Sequence, residues 1–148
     1  MKNLFLTLTL LFAAAPVLSA EHPVRDILTV SEDIDMDRIE ICENVIQTDP
    51  TLVPEEPECD YLAQEGAKVL TIMVNTLLAE GQEVNKENRH NIVGIAWDNL
   101  SIFEMGSMAL TAFELSDSAI YIGKNHPNMV SKYMSAETLE LLQLGGVI

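Results

Sequence analysis

Apolar residues recur at helical spacing through most of this chain. Ile39, Cys42 and Ile46 form one stripe, with Ile41 and Val45 beside it, while Arg38, Glu40, Glu43, Asn44 and Gln47 take the other face. That spacing predicts an amphipathic helix over residues 35–47. Asp33, Asp35 and Asp37 fall in its opening turn, where carboxylates cap free amides and oppose the helix dipole. A second helix is predicted over 60–80, with Leu62, Val69, Ile72, Met73, Leu77 and Leu78 facing inward and Gly81 as its stop. Residues 88–122 make a third helical region, in which Gly94, Ala96, Gly106, Ala109 and Ala112 allow close helix approach, and Gly106 or Ser107 offers a break into two helices. Short helices over 128–134 and 135–144 follow, the last ending before Gly145-Gly146. The β-branched content of 69–74 and 92–97 also fits short strands, because periodicity does not separate the two in a short apolar run. The expected fold is all-α, a small bundle of four to five helices.

A different pattern opens the chain. Met1-Lys2-Asn3 precedes an apolar run over 4–15 and then Pro16-Val17-Leu18-Ser19-Ala20, after which the sequence turns polar at Glu21-His22-Pro23. One positive charge, a run well short of the ~20 residues that span a bilayer, and small residues at its end are the marks of a cleaved secretory signal. Cleavage after Ser19, with Val17 three residues in, competes with cleavage after Ala20, with the bulkier Leu18 in that place, and small residues favour either over its neighbours. The first cysteine is Cys42, so the cleavage region lacks the thiol of a lipid anchor. Asp98, Glu104, Glu114 and Asp117 interrupt the longest later apolar region, and no membrane span is expected. The expectation is thus a periplasmic or secreted protein with a signal peptide at 1–20, a flexible acidic segment at 21–34 and a single helical domain at 35–148.

Export changes the meaning of the two cysteines, Cys42 and Cys59. In an oxidising compartment an even count implies a disulfide, and two cysteines allow one intrachain pairing. The loop it would close holds Pro50, Pro54 and Pro57 and no helical period, so the bond is expected to staple the end of one helix to the start of the next. A redox pair would need the C-x-x-C spacing or an activating neighbour, and surrounding acids raise a thiol pKa instead of lowering it.

Charge narrows the partners. The formal net charge is -15, and residues 21–60 hold thirteen acids against two bases, Arg25 and Arg38, a net of -11. Such a surface repels nucleic acid and anionic lipid and attracts cationic partners or metal ions, although acids also serve simply to keep an exported protein soluble.

Several small constellations bear on chemistry. Asp33, Asp35 and Asp37 slightly resemble the first three ligand positions of an EF-hand, but Arg38 stands at the glycine position and Asn44 where the bidentate Glu belongs. Helix capping accounts for the same acids. If cleavage follows Ser19, the new start Ala20-Glu21-His22 resembles the amino-terminal copper and nickel motif, with His22 in third place. Met105 with Met108, and His126 with Met129, have spacings open to Cu(I), though Met in an apolar helix fills core gaps. Glu87-x-x-His90 has the spacing of one half of a di-iron carboxylate site, and no second such pair exists because Gly123 stands before His126. No histidine lies beside a Ser or Cys in a nucleophile elbow. For a hydrolase built on paired carboxylates, Glu104 and Glu114 are the acids to inspect.

These observations lead to an expected function. The chain is read as a small exported acidic helical protein that acts by binding a cationic protein partner, of inhibitor, immunity or stress-chaperone type. It is not read as an enzyme, and no cofactor is called for. Glu55, Glu56 and Glu58 are the expected partner-binding residues. The alternative is an extracytoplasmic Ca or Cu protein using Asp33, Asp35, Asp37 or His22, and a hydrolase is the third reading. The oligomeric state is left open.

Overall fold

The chain runs as α1 (Pro23–Glu32), α2 (Met36–Thr48), a 3-10 segment (Pro50–Glu55), α3 (Pro57–Ala79), a 3-10 turn (Asn88–His90), α4 (Ile102–Asn125), α5 (Pro127–Ser131) and α6 (Ala136–Leu144). A computed structural model describes residues 23–92 and 102–148, and no strand occurs among them. The predicted signal, with His22, lies outside these residues, as do 93–97 of the second strand alternative. Residues 69–74, the first, lie inside α3.

Helix ends follow from the local sequence. Asp35 caps α2 by accepting from the Arg38 amide at 3.4 Å, and Ser135 caps α6 by accepting from the Thr138 amide at 3.1 Å. Proline opens α3 and α5, where a missing amide proton costs nothing. At the end of α3, Gly81 adopts φ +67°, the Gln82 amide donates to the Leu77 carbonyl at 2.8 Å, and the Gly81 amide donates to Leu78. Gly146 repeats that closure after α6 with φ +68°, and the Val147 amide reaches Leu142 at 2.8 Å. Both are Schellman ends that need a left-handed residue, which glycine supplies without strain.

α3 is buried over most of its circumference. Leu62, Ala63, Ala67, Val69, Leu70, Met73, Val74 and Leu77 are all buried, as expected of a helix covered on several sides. It packs against α1, α2, α4, α5 and α6. α4 packs tightly at Gly66, where an added Cβ would overlap the Ala119 methyl and approach the Leu115 carbonyl oxygen to 3.2 Å. The buried side chains of all these helices form one cluster that includes Leu115, Ile122, Val130 and Leu142.

Cys42 and Cys59 are bonded, with 4.9 Å between their Cα atoms, and both are fully buried. The bond joins the middle of α2 to the first turn of α3 and encloses the 3-10 segment. Four details depart from the sequence expectation. The disulfide holds α2 by its middle and not by its end, because Cys42 sits on the buried stripe and the helix runs on to Thr48. Residues 21–34, expected to be flexible, contain α1, whose Ile27 is 2% exposed and whose Val30 packs on the core. α4 continues through Gly106 and Ser107 without a break, since one glycine costs a long helix only about 1 kcal/mol. Leu78, expected inward, is 49% exposed while Leu77 in the same turn is 2% exposed, so the cover over the end of α3 lies on the Leu77 side.

Candidate functional site

α2 presents the functional candidates on two sides. Toward α4, Glu43 lines two adjoining hollows. One, of about 310 Å³, is lined by Met36, Ile39, Glu40, Glu43, Thr111, Glu114 and Leu115. The other, of about 320 Å³, is lined by Glu43, Ile46, Gln47, Asp117, Ser118 and Tyr121. The Ser118 hydroxyl donates to Glu43 Oε1 at 2.6 Å, which ties α2 to α4 in the middle of this crevice. Asp117 pairs with Arg89 at 3.0 Å. Of the two acids named for a hydrolase, Glu114 is exposed in the crevice beside Glu40 and Glu43, and the side chain of Glu104 lies outside the described residues.

On its other side α2 meets the 3-10 segment across a groove of about 380 Å³ lined by Ile41, Asn44, Val45, Thr48, Asp49 and Leu52. Asp49 is the C-cap of α2 and the N-cap of the 3-10 segment. Its Oδ1 accepts from the Thr51 hydroxyl at 2.6 Å and from the Thr51 amide at 3.1 Å. The hydroxyl bond, then the amide bond, favours the charged form and holds Asp49 below the usual carboxylate range.

Of the three acids read as a calcium loop, Asp33 and Asp35 are tied through their backbone to Tyr61. The Tyr61 hydroxyl accepts from the Asp35 amide at 2.6 Å and donates to the Asp33 carbonyl at 3.3 Å. Arg38 lies 4.1 Å over the Tyr61 ring and donates to the Pro57 carbonyl. Asp35 is occupied as a cap, while Asp33 and Asp37 are exposed. Among the described residues no group of three or more His, Cys, Asp and Glu is arranged to hold a metal ion. Glu87 and His90 border a 3-10 turn, not a helix face, and His90 Nε2 lies 3.1 Å from Arg89 Nη2. His126 Nε2 lies 3.1 Å from the Pro50 carbonyl, and Met129 is buried in the core.

Glu55 is exposed, and Glu56 and Glu58 are half-buried, all within the disulfide-closed loop and the first turn of α3. The groove residues Ile41, Asp49 and Leu52 were not singled out by sequence. The available signal was Asp49-Pro50, a helix stop followed by a fixed turn, with Ile41 off the main apolar stripe. No family model, curated protein or solved structure matches this chain.

Farther along α3, Asp60 accepts a short hydrogen bond from the Tyr133 hydroxyl and lies 3.3 Å from Lys132 Nζ. That bond to a carboxylate raises Tyr133 above the ordinary phenol range, with burial and the Asp60 charge acting in the same direction. A raised folded value means that the link stabilises the fold below about pH 10 and is lost as pH climbs through the raised value. Alkaline titration at 295 nm should therefore show one of the three tyrosines ionising late, and Asp60→Asn should bring it earlier. Three phenols ionising together in the ordinary range would contradict the link.

Proposed function

We propose that this protein is exported and acts by binding a cationic protein partner through the acidic surface of α2 and the disulfide-closed loop. The observation that supports it most is uncompensated charge. Among the described residues the ion pairs are Lys68–Glu65, Arg89–Asp117 and Lys132–Asp60. None involves Asp33, Asp35, Asp37, Glu40, Glu43, Glu55, Glu56 or Glu58, and Arg38, the one base between residues 26 and 60, is spent on Tyr61 and the Pro57 carbonyl. A surface that neutralises so little of its own charge draws an oppositely charged partner and quickens its association. The disulfide supports export to an oxidising compartment. No described helix is long and apolar enough to cross a membrane.

The test uses an oligolysine peptide as probe and measures association against salt. Glu55→Gln with Glu56→Gln and Glu58→Gln should slow association roughly fivefold at low salt and flatten its salt dependence. A charge-matched control, Glu83→Gln with Glu87→Gln and Glu137→Gln, should change it less. Equal effects of the two triples would mean that net charge alone attracts the peptide, and the assignment to this surface would fall.

A further inference from the structure

The groove between α2 and the 3-10 segment is apolar where its surroundings are acidic. Ile41 and Leu52, on its walls, are 49% and 42% exposed, and Val45 lies between them in the same hollow. Acids stand at its ends. Asp37 lies one helical turn before Ile41, and the three residues per turn of a 3-10 helix set Glu55 over Leu52. Asp49 closes the far end with its Oδ1 fixed by Thr51. α2 carries no base in its last turn, so the negative end of its dipole adds to the Asp49 charge. No Lys or Arg occurs between Arg38 and Lys68, and His126, which reaches the 3-10 segment, is engaged with the Pro50 carbonyl.

We propose that this groove docks a cationic amphipathic segment of a protein partner, one apolar side chain seating among Ile41, Val45 and Leu52 while a neighbouring Lys or Arg meets Asp49 and the C-terminal end of α2. The inference rests on the cationic-partner reading above and adds to it a place and a chemistry. Charge alone attracts any polycation to this face. The apolar walls select one that also carries a hydrophobic side chain, because burying it removes apolar surface from water on both partners. A second copy of the chain is a poor occupant, since two molecules each of net charge -15 would bring their acidic faces together.

Two synthetic peptides with equal numbers of lysines test this on the disulfide-bonded protein. One places leucines at helical spacing among the lysines, and the other has glutamine at those positions. The leucine peptide should bind about tenfold tighter, the scale of one buried apolar side chain. Ile41→Ser with Leu52→Ser should abolish that advantage and leave the glutamine peptide's affinity unchanged. Asp49→Asn should weaken both peptides. Leu78→Ser with Leu144→Ser, in the separate hollow between the end of α3 and α6, should alter neither. Far-ultraviolet circular dichroism checks that each variant is folded, and either single change at Ile41 or Leu52 serves if the double does not fold. Equal binding of the two peptides, or a leucine advantage that survives the groove changes, overturns the groove while leaving the charge reading intact. Failure of both peptides to bind at low salt removes the charge reading as well. A dimer in sedimentation that Ile41→Ser dissolves would identify a second copy as the occupant and also overturn the proposal.

Discussion

Replacing both cysteines by alanine is expected to lower stability by about 3 kcal/mol and the melting temperature by about 10 °C. The magnitude follows from the 17-residue separation of Cys42 and Cys59, because the bond removes the loop-closure freedom of the unfolded chain. Both residues are fully buried, so cysteine-to-serine changes should do more damage still, by leaving hydroxyls in an apolar site. The same burial predicts that a mild reductant leaves the folded protein oxidised and acts once denaturant is added. Melting curves and intact mass under both conditions check this, and an unchanged melt would show that the core does not depend on the staple. The loss should also reach binding. Asp49, Leu52 and Glu55 all lie within the closed loop, and freeing its ends would let the 3-10 segment drift from α2.

How much of this was legible in the sequence depends on the range of the interaction. Asp35, Ser135, Gly81 and Gly146 act through bonds no more than five residues away, and the helix ends they mark were readable. The stripe of Ile39 and Cys42 and the expected cystine pairing were also readable, and both cysteines are buried where that stripe meets α3. α1 had a signal that went unread: Pro23 at the first turn, then Ile27, Val30 and Ile34 at spacings of three and four. Its surrounding acids point to a flexible lead-in, but a short helix needs only a buried apolar edge to be held. The crevice and the groove beside α2 were not legible. Each depends on how far α2 stands from its neighbours, a distance set by contacts such as Ser118 with Glu43, 75 residues apart. Helical periodicity likewise says which face of α3 is apolar but not where its cover ends, hence the exposed Leu78.

Gly66→Ala is expected to destabilise the protein by about 2 kcal/mol, against the ~1 kcal/mol gain that alanine brings to a helix interior. The added methyl would overlap the Cβ of Ala119 and lie 3.2 Å from the Leu115 carbonyl oxygen. Neither neighbour is the tip of a flexible side chain. Relief therefore requires α3 and α4 to separate, and the fully buried Leu62, Leu70 and Ile122 would lose packing with them. A larger residue such as Leu at position 66 should prevent the native helix pairing altogether. Chemical denaturation of the single and double changes provides the check. Ala119→Gly should recover part of the loss from Gly66→Ala, because it removes the overlapping methyl, and what remains should combine the Leu115 oxygen contact with the ~1 kcal/mol helix cost of glycine at 119. If Gly66→Ala instead stabilised by the full propensity gain, the two helices would have room between them.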